Sequence, residues 1–181
     1  TKRLLAIVEV KDNASYKFYY KDLNNQEPPR VLYSSPEDQQ RFFSQCRFSP
    51  SGAYLALHGG NVQVGSLLIF DGLTGNELFR DELTHQGAIF NVSFSPDETL
   101  LATASEDNTA RFWNVKTFKT FGSVMHHNAE AWKGEFSPDQ SRFSVFTSNG
   151  ELAVWSTATG TLTHDFIKHD SPVIMLSLIH I

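Results

Sequence analysis

The sequence has little cysteine and little basic charge. Cys46 is the single cysteine in 181 residues, so neither an internal disulfide framework nor a thiolate zinc cluster can hold the fold together. Lysine and arginine number 15 against 20 aspartates and glutamates, and they are scattered along the chain. A surface that follows a nucleic acid backbone needs clustered basic residues. We therefore expect no nucleic acid partner.

Long hydrophobic runs are also missing. No apolar stretch reaches the roughly 18 residues that a membrane helix requires, so we expect no membrane span. No segment sustains the apolar i, i+3, i+4, i+7 stripe of an amphipathic helix, so we expect no helix of consequence. Hydrophobic residues make up 40% of the chain and charged residues 19%, which is the balance of a globular protein. The compartment stays undetermined, with the cytoplasm favoured.

The sequence does contain many short β-prone runs. Phenylalanine is common, at 15 residues, and runs such as Leu67-Leu68-Ile69-Phe70 alternate with clusters of Ser, Pro, Asp, Gly and Asn. The turn clusters recur about every 8 to 12 residues, which is typical of short strands joined by tight turns. The sequence therefore predicts an all-β fold.

Three sequence markers recur with one period of 42 to 46 residues. They are Phe-Ser-Pro at 48–50, 94–96 and 136–138, an aromatic residue at Phe70, Trp113 and Trp155, and a histidine at His85, His127 and His169. Turn signals divide each period into four strand-length pieces. A four-stranded meander cannot cover both of its apolar faces alone, so neighbouring units must stack, and radial stacking gives a β-propeller.

The combination of these markers resembles the WD-repeat family of β-propellers. The unit over 84–124 carries the pattern most fully, with a histidine before the Phe-Ser-Pro turn, Asp107 in the second turn and Trp113 near the end of the third strand. The next unit departs from the pattern because Asn149 stands where the family has aspartate. The resemblance covers nearly the whole chain.

The resemblance implies a propeller segment of about four blades over 1–176, each blade a four-stranded antiparallel meander. We expect a partial blade over 1–37, blades over 38–83, 84–124 and 126–166, and the start of another at 168. The chain is expected to be an internal piece of a longer propeller. Residues 177–181 are expected to be non-native read-through, with a native strand as the alternative.

The polar markers are expected to hold each blade together. The resemblance implies a buried chain of hydrogen bonds from Asp107 through His85 and a hydroxyl, Thr103 or Ser105, to the indole of Trp113. The corresponding set in the next blade is His127, Thr147, Asn149 and Trp155. A catalytic triad would need an exposed hydroxyl beside an oxyanion hole, so we assign no catalytic residue. Equivalent histidines lie a blade's width apart, so we expect no metal site and no cofactor.

The resemblance implies a non-enzymatic scaffold that binds a protein or peptide partner, or another domain of the parent chain. Recognition residues of a propeller lie around its central opening. Carried over to this chain, they are Phe90, Glu106, Glu130, Trp132, Ser148 and Ile174. Exposed aromatic residues are the usual anchors of an interface, which favours Phe90 and Trp132. Phe90 would instead lie in the core if its strand has no bulge, since it shares parity with Val92.

Two other functions remain open from the sequence. One is a propeller-based enzyme, a hydrolase or lyase, whose catalytic residues lie in blades outside this chain. The other is a periplasmic Tol-type propeller, which shares the Phe-Ser-Pro-Asp turn. That class lacks the register of histidine, aspartate and tryptophan that the unit over 84–124 contains.

Overall fold

The structure is a computed structural model that describes residues 4–11, 15–24, 26–34, 43–81 and 84–168. These residues form antiparallel sheets and contain no helix, so the all-β prediction is confirmed. In each sheet the strands are paired in chain order, which makes every sheet a meander. We call the sheets blades I to IV.

Blade I has three strands in the described part of the chain, and each of the other blades has four, as predicted. Blade I contains β1 (Leu4–Lys11), β2 (Ser15–Asp22) and β3 (Arg30–Ser34). Blade II contains β4 (Phe43–Phe48), β5 (Tyr54–Gly60), β6 (Gly65–Asp71) and β7 (Glu77–Asp81). Blade III contains β8 (Ile89–Phe94), β9 (Leu100–Ser105), β10 (Thr109–Asn114) and β11 (Thr120–His126). Blade IV contains β12 (Ala131–Phe136), β13 (Arg142–Thr147), β14 (Glu151–Ser156) and β15 (Leu162–Lys168).

The strand ends differ slightly from the predicted unit boundaries. Strands β11 and β15 run two residues past the predicted ends at 124 and 166. The predicted start of a further blade at 168 coincides with the last residue of β15, and residues 169–181, including the predicted read-through at 177–181, lie outside the described residues.

The Phe-Ser-Pro turn has the same hydrogen bonds in blades II, III and IV. In blade III the backbone N–H of Ser95 donates to the carbonyl of Leu100 at 2.9 Å, and the Ser95 hydroxyl oxygen accepts the N–H of Leu100 at 3.0 Å. Ser49 and Ser137 make the corresponding bonds in the other two blades. A short hydroxyl side chain therefore closes the turn and sets where the second strand begins.

Each pair of neighbouring sheets encloses its own hydrophobic core. Blades I and II bury Phe18 against residues such as Leu55 and Phe70, and blades II and III bury Ile69 against Val92. Blades III and IV form a phenylalanine-rich core, whose aromatic members are Phe112, Phe136, Phe143 and Trp155. Each fully buried side chain of this size stabilises the fold by about 1.5–3 kcal/mol relative to its exposed state. Stacking of the sheets thus covers the faces that one meander leaves open.

Replacing Gly134 with alanine is expected to lower the free energy of unfolding by about 1–3 kcal/mol, because it overpacks the blade III–IV core. A Cβ atom at Gly134 would lie 2.2 Å from Cζ of Phe143. The Phe143 ring is fully buried and packs edge to face on Phe112, with the ring centroids 5.3 Å apart, so it has little room to move. Urea unfolding followed by circular dichroism measures the change.

The Phe143→Leu background provides the control for this prediction. Leucine lacks the distal ring atoms that oppose a Cβ at Gly134, so the alanine substitution should cost less there than in the wild-type background. An equal cost in the two backgrounds would mean that the Phe143 ring is not the obstacle.

Candidate functional site

A buried network of hydrogen bonds joins two strands of blade III to the turn between them and to the loop before β8. His85 Nδ1 lies 2.9 Å from Asp107 Oδ2, and His85 Nε2 lies 2.7 Å from Thr103 Oγ1. The indole N–H of Trp113 donates to Thr103 Oγ1 at 3.0 Å. The carboxylate can only accept, so Nδ1 of His85 donates to Asp107, and the Thr103 hydroxyl is placed to donate to Nε2. Every donor in this hydrogen-bond network then faces an acceptor.

Asp107 anchors this network at the turn after β9. Burial by itself would raise the pKa of the Asp107 carboxyl, but hydrogen bonds from His85 and Thr109 and the backbone N–H of Gln86 outweigh it. Together they hold the pKa of Asp107 well below its usual range. The carboxylate therefore stays charged and keeps the loop before β8 attached to the turn between β9 and β10.

The burial of this hydrogen-bond network determines what its residues can do chemically. Thr103 is 0% exposed and His85 is 1% exposed, and the Thr103 oxygen is occupied by the indole of Trp113. A nucleophilic hydroxyl must reach its substrate, so this arrangement of hydroxyl, imidazole and carboxylate acts as a brace between strands. Ser105 carries the other hydroxyl that the sequence offered for this role. It lies outside the hydrogen-bond network and donates to the carbonyl of Gly87 at 3.0 Å.

Blade IV does not repeat this arrangement. The Thr147 hydroxyl lies 2.7 Å from Asn149 Oδ1 and donates toward the turn, instead of linking a histidine to an indole. Among the described residues no acceptor lies within hydrogen-bond distance of the buried Nε1 of Trp155. The imidazole of His127 packs edge to face on the Trp155 ring, with centroids 5.7 Å apart. The structure therefore does not join the four predicted residues of blade IV as it joins those of blade III.

The first strand of blades II, III and IV carries a β-bulge at the same place. The register shifts between Phe43 and Gln45, between Ile89 and Asn91, and between Ala131 and Lys133. A bulge turns one side chain away from the face that its parity would give it. The sequence left open whether such a bulge exists, and this register places Phe90 and Trp132 at the bulged positions.

The two bulged aromatic residues differ in exposure. Trp132 is 43% exposed, and its indole N–H donates to Glu130 Oε2 at 3.1 Å. Phe90 is half-buried, while its neighbours Ile89 and Val92 are buried in the core between blades II and III. Trp132 is thus the more accessible of the two predicted anchors.

The other predicted recognition residues lie at the same end of the blades. The backbone N–H of Glu106 donates to the carbonyl of Ala88, and the N–H of Ser148 donates to the carbonyl of Glu130, both at 2.9 Å. These bonds tie the turn after the second strand to the entry of the first strand in blades III and IV. Ile174 lies outside the described residues.

We call this end of the blades the upper rim. It comprises the loops and bulges over residues 59–65, 84–90, 105–109, 126–132 and 147–151. Adjacent blades contact each other here, since the N–H of Gly65 donates to the carbonyl of His85 at 3.0 Å. The N–H of His127 donates to the carbonyl of Asn108 at 2.9 Å. The upper rim is therefore one continuous surface across blades II, III and IV.

The opposite end holds a polar group that the sequence analysis missed. Arg47 and Glu135 lie 3.5 Å apart and link blade II to blade IV, and the Ser93 hydroxyl of blade III lies 3.4 Å from the same carboxylate. The three residues occupy one repeat position, immediately before Phe-Ser-Pro, and that shared offset is the signal that could have identified them. With Phe94 and Pro96 they line a groove of about 240 Å³.

Two other kinds of functional element are absent from the described residues. They contain no group of three His, Cys, Asp or Glu side chains arranged to hold a metal ion. Within the same described ranges, no helix has the length and apolarity to cross a membrane.

Known proteins match this chain in sequence and in structure. The family model described as "WD domain, G-beta repeat" matches residues 79–114. WD repeat-containing protein 1 of Xenopus tropicalis is 38% identical over 90 residues, which are 49% of this chain and 14% of that protein. Eukaryotic translation initiation factor 3 subunit I of Neosartorya fischeri is 42% identical over 81 residues, which are 42% of this chain and 24% of that protein. The chain thus spans at most about a quarter of the length of these relatives.

A solved structure shares the fold. A chain of the structure described as "Crystal Structure of Mitotic Checkpoint Complex" aligns with a TM-score of 0.71 at 13% sequence identity. The alignment covers 89% of this chain and 45% of that chain. At this identity the likeness concerns the fold alone, and it confirms the predicted propeller architecture.

Proposed function

We propose that this chain, a member of the WD-repeat family, belongs to a non-enzymatic scaffold that binds a protein or peptide partner through its upper rim. WD-repeat proteins generally serve as interaction scaffolds, and the related fold described above occurs in a protein complex. The partner is another protein or another domain of the parent chain.

One observation carries the proposal for this chain, namely the exposure of Trp132. A tryptophan at 43% exposure leaves much of a large apolar ring in water, and such a ring gains free energy when a partner covers it. The hydrogen bond to Glu130 holds the indole on the rim, so little side-chain entropy is lost on binding. A large, restrained aromatic side chain that is exposed on such a surface has the properties of an interface hot spot.

The rim also has the rigidity that a binding platform needs. The brace of blade III fixes the loop at His85, and the bonds from Glu106 and Ser148 fix the two turns beside the bulges. Partners that bind preformed surfaces lose less free energy to ordering than partners of mobile loops. We infer that the buried network contributes to recognition by holding the rim loops in place, without itself contacting the partner.

Photo-crosslinking at position 132 tests the proposal. A photoreactive phenylalanine analogue is placed at Trp132 in the tagged chain, and a second chain carries it at Leu73, which is 51% exposed in the turn between β6 and β7 at the opposite end. Illumination in an extract of the source cells is expected to give a discrete protein adduct from position 132 and none from Leu73. Equal adduct patterns from the two positions, or none from position 132, would contradict the proposal.

Competition then measures the contribution of the indole. Untagged wild-type chain should suppress the adduct, and the Trp132→Ala chain should need at least about tenfold higher concentration to do so, which corresponds to about 1.4 kcal/mol. Competition by Trp132→Ala equal to that of the wild type would place the contact elsewhere.

A further inference from the structure

We infer that the upper rim takes a cationic partner, a segment of another protein that carries lysine or arginine side chains. This inference deepens the proposed function and rests on it. It follows from the exposed indole of Trp132 and from rim carboxylates that have no basic partner in the described part of the chain.

The charge of the upper rim is uniform. Its loops contain four carboxylates and no lysine or arginine; the four are Glu106, Asp107, Glu130 and Glu151. The turns at the opposite end of the same blades mix both signs, with Lys116, Lys119 and Arg142 beside acidic residues. The one-sided charge is therefore a property of this rim and does not simply follow from the acidic net charge of the chain.

Two of these carboxylates, Glu106 and Glu130, have no basic partner in the part of the chain that the structure describes. Asp107 is paired within the blade III brace, and Glu151 lies opposite Lys168 where β14 pairs with β15. No lysine or arginine among the described residues forms an ion pair with Glu106 or Glu130. Their own contacts are neutral, since Glu106 accepts the N–H of Ala88 at 3.3 Å and Glu130 accepts the indole N–H of Trp132. Both are half-buried, where charge is less screened than on an open surface.

The aromatic residue and the carboxylates favour the same ligand. An indole face attracts a guanidinium or ammonium group, and the attraction grows when the cation leaves water. Glu130, two residues from Trp132, holds its carboxylate against the edge of the same indole, so it can pair with a cation placed over the ring. Complementary charge also speeds association and excludes acidic partners. A neutral apolar partner would leave these carboxylates buried and unpaired, at a cost in affinity.

Binding of a synthetic peptide to the wild-type chain tests the inference. The probe is a fluorescent nine-residue peptide with four arginines separated by serine and glycine, and the reference peptide carries citrulline in place of arginine. Citrulline keeps the shape of arginine but has no charge. We expect the arginine peptide to bind at least tenfold more tightly than the citrulline peptide in fluorescence anisotropy.

Two matched double variants locate the binding surface. E106Q/E130Q removes two rim charges, and E27Q/E77Q removes two charges from exposed glutamates at the opposite end, so that the net charge is the same. We expect E106Q/E130Q to weaken binding of the arginine peptide at least tenfold and E27Q/E77Q to change it less than twofold. Trp132→Leu, which keeps an apolar side chain without a π face, should weaken binding at least threefold.

Equal weakening by the two double variants, or equal binding of the two peptides, would overturn the inference. The proposed function can be judged separately. If position 132 crosslinks a protein but the arginine peptide does not displace it, the rim binds a partner and that partner is not cationic. If nothing crosslinks to position 132, the proposed function itself fails.

Discussion

Replacing Trp113 with alanine is expected to destabilise the chain by about 3–5 kcal/mol. The Trp113 ring is 3% exposed, packs in the core between blades II and III, and lies edge to face against Phe79 with centroids 6.0 Å apart. Its removal leaves a large cavity and takes away the hydrogen bond to Thr103. Urea unfolding followed by circular dichroism measures the loss. Trp132→Ala should shift the same transition by less than about 0.5 kcal/mol, because that ring is at the surface.

A pair of milder substitutions separates the cavity from the hydrogen bond. Phenylalanine keeps most of the ring volume of tryptophan but has no N–H. Trp113→Phe breaks the bond to the Thr103 hydroxyl and should cost about 1–3 kcal/mol. Trp155→Phe removes a buried N–H that has no acceptor among the described residues, so it should cost less. Equal costs in the two blades would show that the hydrogen-bonded brace contributes nothing measurable.

The parts of the fold that depend on local chemistry could be predicted from the sequence. The Phe-Ser-Pro turn is an example, because the Ser95 hydroxyl bonds to the backbone only five residues away, at Leu100. Such a contact needs the same residues at the same spacing wherever it recurs. The repeat period therefore identified the meanders and the propeller architecture without any knowledge of how the sheets pack.

The side-chain directions on the first strands could not be predicted. Alternation along β8 places Phe90 on the face of Val92, and only the bulge removes it from the core. No single residue type marks the bulged position in the sequence, since blade III has phenylalanine there and blade IV has tryptophan, at Trp132. The bulge depends on pairing with β9 and on the backbone bonds of the upper rim, which are not encoded in a short window of sequence.

The polar network shows the same limit at a finer scale. Thr103 and Ser105 lie two residues apart on one face of β9, so the sequence could not decide which hydroxyl serves His85. Strand pairing decides it, because Trp113 lies opposite Leu101 and its indole reaches Thr103. The shared offset before Phe-Ser-Pro could have placed Arg47 and Glu135 at equivalent positions, but not their contact, since the contact depends on how three successive blades curve around a common centre.

The stability of the chain is expected to fall steeply between pH 6.5 and pH 5. Burial lowers the pKa of His58 to about 4 and, together with nearby His126, lowers the pKa of His127 to about 4. An unfolded histidine has a pKa of about 6.5. Below that pH the unfolded chain takes up protons that the folded chain does not bind, so the stabilisation is complete above about pH 6.5 and is lost as the pH falls toward 4. Each histidine should cost about 2 kcal/mol by pH 5, or about 4 kcal/mol together.

The structural reason for the effect of His58 is its place between two blades. Its Nδ1 lies 2.9 Å from the carbonyl of Ile89, so a neutral imidazole from blade II donates to the first strand of blade III at the base of the upper rim. His58→Gln keeps an N–H donor without a titrating group, so it should remove about half of the pH dependence whatever its effect at pH 7.5. Urea unfolding at pH 7.5, 6.5, 5.5 and 5 measures the slope. A flat wild-type profile over this range, or an unchanged slope in His58→Gln, would show that burial does not keep these histidines neutral. The hydrogen bond from His58 to Ile89 joins two of the blades that form the upper rim. A confirmed slope would therefore also mean that acid weakens the contact between blades II and III beneath the upper rim.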